Sequence, residues 1–254
     1  MIFYYSGCGS SRWVAKRMAA STGERLVFIP DAQREGKMQY TVKRDECLGF
    51  VCPVYSWQPP LLVMDFIEHM DIDGTPAYTY LVLTYGDNAG KAQQMFSQGL
   101  ARQALRLDAA YGVAMPNTYV NMSFMNIDTP EVAHGKMERA VKTVDEIVAH
   151  VAARDRLSTV VRGGAAWFKS RVIGSSFNKW LSDKGYRSTD ACVGCGRCAE
   201  VCPLKNISIE GRRPVWHGHC TQCEACYHYC PQNAVQYGKA TDGKGQFCFE
   251  EYNL

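Results

Sequence analysis

A chain of 254 residues with 46% apolar side chains is long enough for one good core plus a smaller module, since domains most often run to roughly 100–150 residues. No run approaches the roughly eighteen continuous apolar residues of a membrane helix, and the opening MIFYYSG lacks the basic and apolar regions of a signal peptide, so a cytoplasmic protein without a transmembrane segment is expected. The formal charge of +3 counts every one of the twelve cysteines as a neutral thiol, so it argues for no nucleic-acid partner.

Residues 1–154 alternate between apolar runs of strand length and amphipathic stretches of helical length, the pattern of a parallel βαβ sheet. The expected strands are 2–6, 25–30, 48–55, 77–85 and 109–115, and the expected helices are 10–21, 59–70, 89–105 and 131–154. The 31–46 crossover is polar and short for a helix. Three strands are apolar almost throughout, as when helices cover both faces of the sheet, so the fold class is α/β with a five-stranded, doubly wound parallel sheet.

The turn YYSGCGSSR follows the first strand and opens the first helix, where an open parallel sheet binds phosphate. Ser6, Ser10 and Ser11 supply hydroxyls, while Gly7 and Gly9 allow close approach. A third glycine is missing, with Arg12 in its stead, and no acidic residue ends the second strand, which argues against NAD at this loop. PVYSWQPP and TYGDNAGK end the third and fourth strands, so Tyr55, Trp57 and Tyr85 are expected at the same carboxyl edge, where aromatic rings can stack on a flat cofactor. The bland reading of Trp57 is a packing residue beside Pro59 and Pro60, and that of 115–119 is a plain strand exit.

Residues 151–190 carry 8 basic and 3 acidic side chains, against 14 and 16 before them and 6 and 6 after. Trp167, Phe168, Val172, Ile173, Phe177 and Trp180 suggest one or two connecting helices packed through these side chains on a neighbouring domain. A membrane-surface helix is the second reading; a basic face is more often simply solvated.

Residues 192–237 contain a repeat at an offset of 28: Cys192, Cys195, Cys198, Cys202 and Pro203 return as Cys220, Cys223, Cys226, Cys230 and Pro231, and Ile207 as Val235. One C-x-x-C-x-x-C loop can reach three corners of an iron–sulfur cube, and the fourth thiolate must come from elsewhere. Structural zinc also uses C-x-x-C pairs, but it needs neither the third cysteine nor the proline, and both occur twice. The stretch resembles a bacterial two-cluster ferredoxin, in which the fourth cysteine of each run ligates the other cluster. The resemblance implies two [4Fe-4S] clusters, one held by Cys192, Cys195, Cys198 and Cys230, the other by Cys220, Cys223, Cys226 and Cys202. Eight thiolates would make the loaded protein net acidic. Cys47, Cys52 and Cys248 read as buried thiols, His217 and His219 form no metal pair, and His228 reads as a tuning group.

Residues 1–154 resemble flavodoxins, and the whole chain resembles the flavodoxin-ferredoxin fusion family. The resemblance implies a flavodoxin-like domain at 1–154, a connecting helical segment at 155–190 and a small α+β ferredoxin-like domain at 191–254. It implies FMN, its phosphate in the loop of Ser6, Gly7, Cys8, Gly9, Ser10 and Ser11. The isoalloxazine is expected between Pro53, Val54, Tyr55, Ser56, Trp57 and Thr84, Tyr85, Gly86, Asp87, Asn88, Gly90. Cys8 stands where flavodoxins usually carry threonine, and a thiol is the weaker hydrogen-bond donor, so looser phosphate binding is expected.

The expected function is electron transfer between FMN and the clusters, joining two-electron to one-electron redox protein partners, with no catalytic side chain. The alternative is a flavin reductase of a small molecule fed through the clusters; a pocket lined by Tyr55, Trp57, Asn117 and Tyr119 would favour it, and a ring sealed by Trp57 the carrier. A redox or iron sensor is the weaker third class, because no DNA-reading element appears. The sequence does not choose between carrier and enzyme, and it gives no oligomeric state.

Overall fold

A computed structural model describes residues 1–249. The elements run β1 (Ile2–Tyr4), α1 (Ser10–Thr22), β2 (Leu26–Phe28), α2 (Ile29–Arg34), β3 (Gln39–Thr41), β4 (Cys47–Pro53), α3 (Leu61–His69), β5 (Asp71–Asp73), β6 (Tyr78–Tyr85), α4 (Ala92–Arg102), β7 (Ala109–Ala114) and α5 (Pro130–Ala153). Then come α6 (Ala166–Phe168), a π-helical turn (Lys169–Gly174), α7 (Ser175–Lys179), β8 (Tyr186–Ser188), α8 (Arg197–Val201), β9 (Ile207–Glu210), β10 (Arg213–Trp216), α9 (Ala225–His228) and β11 (Val235–Tyr237).

Contacts divide the chain into two units. The first comprises Met1–Ser6, Ser10–Met115 and Lys136–Lys179; the second takes Gly7–Gly9, Pro116–Gly135 and the chain from Trp180 onward. The 155–190 stretch is thus shared between them, and the last five residues of the expected 191–254 domain lie outside the described residues.

In the first unit, five parallel strands lie in the order β2-β1-β4-β6-β7. Numbered among themselves they read 2-1-3-4-5, the flavodoxin-like doubly wound order, with the switch point between β1 and β4. Every residue of β6 is buried, because helices cover both faces of a central parallel strand. α1 packs on the sheet through Ser11, Val14, Ala15 and Met18, a spacing of 3, 4 and 7 that lines one helical face. On the other face, Phe3 stacks on Phe50 at 5.5 Å and meets Phe66 at 5.1 Å, while Phe96 meets Phe50 edge-on at 5.2 Å.

Two expectations are corrected here. The second strand stops at Phe28, and helix α2 begins at once, with Pro30 in its first turn, where a missing N–H costs nothing. The 31–46 stretch then gives β3, which pairs with β5 in a separate two-stranded sheet. In the 155–190 segment Trp167, Phe168 and Trp180 do not bury against a neighbour; they are exposed.

In the second unit, β9 pairs antiparallel with β10, and β8 with β11. Tyr186 stacks on Trp216 at 5.7 Å and meets Tyr237 edge-on at 4.9 Å, so an aromatic block joins the two ribbons.

Candidate functional site: a twofold cysteine cradle and a sheet-edge crevice

The cysteine repeat is also a repeat of backbone conformation. Gly194 and Gln222, Gly196 and Glu224, and Lys205 and Asn233 are related by the offset of 28, and all six have positive φ, from 44° to 80°. The left-handed residues at 196 and 224 cap the short helices α8 and α9, which carry the third cysteine of each run, Cys198 and Cys226. The fourth cysteines match as well: the Asn206 N–H donates to Cys202 Sγ at 3.4 Å, and the Ala234 N–H to Cys230 Sγ at 3.2 Å. Backbone donors aimed at sulfur favour thiolates.

The thiols line two small cavities. One is walled by Cys192, Cys195 and Cys198 with Cys230 from the second run; the other by Cys220, Cys223 and Cys226 with Cys202 from the first. Among the described residues no three His, Cys, Asp or Glu side chains are drawn close enough together to hold a single ion. Trp216 Nε1 is buried on the wall of the second cavity, and its N–H faces the Cys226 sulfur closely enough to favour the thiolate there against the burial that opposes it. An indole N–H facing a ring of thiols suits an anionic cluster. Burial pushes Cys198 and Cys220 up to about 11 and Cys226 well above the usual thiol range, so a metal that binds these thiols must displace their protons.

The second run is anchored where sequence reasoning saw nothing. Glu224 is buried, and its carboxylate accepts the Val120 N–H at 3.0 Å and the Asn121 N–H at 3.0 Å. Burial raises its pKa, with His228 and these N–H groups opposing. His228 Nδ1 accepts the Phe247 N–H at 3.1 Å, so Nε2 carries the proton and donates to the Thr118 carbonyl at 2.7 Å. His228 therefore ties together the loops around the cradle. The signal for Glu224 lay in the repeat: a glycine in one run faces a glutamate in the other at a left-handed position.

The loop Gly7–Gly9 also belongs to this unit. Cys8 is buried and its thiol donates to the Cys223 carbonyl at 3.0 Å, while the Tyr229 hydroxyl donates to the Cys8 carbonyl at 3.3 Å. Gly9 has φ +99°, and a Cβ there would lie 2.7 Å from Phe249. Cys8 thus serves the cluster loop. Asn117 holds Asp128 through its backbone and side-chain N–H groups, both at 3.0 Å, and the Tyr119 hydroxyl donates to Gln222 at 3.4 Å. Cys248 donates to the His228 carbonyl at 3.0 Å, and Cys52 is buried.

At the carboxyl edge of the first unit's sheet, Ser6 Oγ and Asn88 Oδ1 are buried without hydrogen-bond partners among the described residues. Ser10 opens α1, and Ser11 shares a 2.8 Å bond with Thr84. Pro53 ends β4, and the Val54 N–H continues the ladder to Thr84 O at 2.9 Å. Tyr55 and Gln58 then exchange backbone bonds of 2.9 and 3.0 Å around Ser56 and Trp57, whose φ values of 46° and 60° make a tight turn that such residues seldom adopt.

A clamp from the helical run above holds this turn. The Ser170 hydroxyl donates to Trp57 O at 2.9 Å and accepts the Lys91 N–H at 2.8 Å; Gln58 donates to Ser170 O and accepts from Asn178 at 2.7 Å. Lys169 sits over the Trp57 ring at 5.4 Å. A Cβ on Gly90 would lie 2.7 Å from Trp57 Cβ, so the two loops touch at that point. Tyr85 is turned inward over Gly112 and accepts the Val161 N–H at 3.1 Å; it offers no face to a ligand. Gly86 and Asn88 are half-buried and Asp87 is exposed. The polar part of this sheet edge, with an orphan hydroxyl beside the start of α1, suits a phosphate-bearing ligand; on the aromatic side the Tyr55 hydroxyl reaches that of Tyr5 at 3.4 Å, Tyr85 is turned inward, and Trp57 is held by the clamp.

Residues 191–235 match the 4Fe-4S dicluster domain family. No curated protein matches the chain. Among solved structures it is similar to the Trp repressor binding protein from Bacillus subtilis, at 12% identity over 59% of this chain and 96% of that one, with a TM-score of 0.38.

Proposed function

We propose that the protein carries electrons between FMN in the first unit and two [4Fe-4S] clusters in the second, joining two-electron to one-electron redox protein partners. The observation that carries this reading is the exchange of fourth cysteines between the two cavities. Cys192, Cys195, Cys198 and Cys230 would ligate one cluster, and Cys220, Cys223, Cys226 and Cys202 its twin, the crossed arrangement of two-cluster ferredoxins. The chain's own contribution is burial, N–H groups on sulfur and the Trp216 indole, the levers that set cluster potential.

The orphan Ser6 hydroxyl and the start of α1 at Ser10 support a phosphate at the sheet edge, and Asn88 and Tyr55 support a polar, flat ring nearby. Bound FMN would take electrons in pairs and release them singly, which an iron–sulfur cluster alone cannot do. Cys8, committed to Cys223, leaves that phosphate without a side chain from the middle of the loop.

The test is anaerobic purification with analysis for iron, sulfide and flavin, followed by absorption spectra during addition of NADH and then of a reduced ferredoxin. About eight irons and one FMN per chain, with bleaching by the reduced ferredoxin alone, is expected. Bleaching by NADH overturns the carrier in favour of the reductase, and absence of flavin from protein reconstituted with FMN removes the first half of the proposal.

A further inference from the structure

The helical run from Ala166 to Lys179 has two unlike faces. Its inner face is small and polar: Ser170 and Gly174 are buried, and a Cβ on Gly174 would lie 2.4 Å from the Ser56 carbonyl oxygen. Its outer face is apolar: Trp167 is 60% exposed, Phe168 52%, Val172 40% and Ile173 39%, with Val161 at 54% shortly before. Large side chains concentrated this way on a surface mark an interaction or membrane site.

The surrounding charge has one sign. Arg162, Lys169, Arg171 and Lys179 lie in this stretch, and no acidic residue occurs between Asp155 and Asp183. Among the described residues none of these four cations pairs with a carboxylate. Of Trp167, Phe168, Arg171, Val172 and Ile173, only the arginine and the Trp167 indole N–H can hydrogen-bond, whereas protein interfaces of ordinary size carry many direct hydrogen bonds.

We propose that this face lies on an anionic lipid bilayer. Trp and Phe beside branched aliphatics, rimmed by Lys and Arg, is the composition that seats a helix at the headgroup boundary, the aromatics entering the apolar layer and the cations meeting lipid phosphates. No described helix is long and apolar enough to cross the membrane, so the attachment is to one surface. The inner face stays fixed to the Tyr55–Gln58 turn while the outer face is spent on lipid.

The test is sedimentation of the full-length, iron-loaded protein with vesicles of phosphatidylcholine alone or mixed with phosphatidylglycerol. Binding to the mixed vesicles, about tenfold or more tighter than to the neutral ones and weakened by added salt, is expected, with a blue shift of tryptophan emission. A Trp167→Ser, Phe168→Ser variant, altered only at exposed positions, is expected to lose about tenfold in binding at unchanged cluster absorbance, and Arg171→Glu to lose binding mainly at low salt. Equal affinity for both vesicles, binding to neither, or wild-type binding by the double variant overturns the proposal. Capture by an acidic redox protein without vesicle binding assigns the face to a protein instead and overturns it too.

Discussion

Replacing Trp216 by Phe separates the indole N–H from everything else the side chain does. The ring stacks on Tyr186 at 5.7 Å with planes 12° apart, a contact phenylalanine keeps in large part, while Nε1 is buried and faces the Cys226 sulfur. In the metal-free protein the change removes only a weak N–H interaction with the Cys226 sulfur, so stability changes by no more than about 1 kcal/mol apart from lost ring volume. In the loaded protein it removes a bond to an anionic cluster, and that bond is stronger in the more negative, reduced state. If the difference between oxidation states is about 1 kcal/mol, the midpoint potential falls by roughly 40 mV for one electron. The assay is a redox titration followed by electron paramagnetic resonance, reading the two clusters separately. One potential is expected to drop while the other, in the cavity of Cys192, Cys195, Cys198 and Cys230, holds still. Two unchanged potentials, or two equal shifts, refute the assignment of Trp216 to the second cluster.

Four further substitutions probe other parts of the argument. Cys202→Ala is expected to damage the cluster of Cys220, Cys223 and Cys226 and to spare its twin; loss of the other signal in Mössbauer or paramagnetic resonance spectra sinks the crossed assignment. Ser6→Ala removes the orphan hydroxyl and is expected to weaken FMN about threefold to tenfold by flavin-fluorescence titration, and an unchanged Kd takes Ser6 out of the site. Cys8→Ala removes the 3.0 Å bond to the Cys223 carbonyl, so a chelator should strip iron about fivefold faster, with Cys8→Ser restoring the slow rate; equal rates for all three show that the bond does not hold the loop. Gly49→Ala places a Cβ 2.4 Å from the Tyr80 ring in the middle of the sheet and is expected to cost about 1–3 kcal/mol, read as a lower urea midpoint of the first unit.

What was legible in the sequence is what depends on near neighbours. The unbroken apolar run of β6 announced a central parallel strand, the 3.6-residue spacing of α1 announced its buried face, and the offset of 28 announced the paired cysteine cradle. What was not legible depends on partners far along the chain. Tyr85 reads as an edge aromatic on its own strand, yet it folds inward because Gly112 on the adjacent strand leaves room for its ring. β3 and β5, QYT and DID, are too short and polar to show a period, and they exist only because each finds the other. The clamp on the Tyr55–Gln58 turn comes from Ser170, 113 positions beyond Trp57, and a lone serine in a basic helix carries no such message.

The repeat is most informative where it breaks. At the shared left-handed position, Gly196 costs little and Glu224 is strained, so the glutamate must be held by what its carboxylate does, which is to fix the Val120 and Asn121 amides. The second cavity is thereby tied into the loops that carry Thr118, Cys8 and Phe247, and its Cys226 is buried. The first has no such anchor at Gly196, and Cys195 and Val193 on its rim are exposed. Equal ligand sets therefore sit in unequal surroundings. On a bound cluster, water near the first cavity would stabilise added negative charge, while the second cavity would depend on N–H groups that the fold brings from a distance.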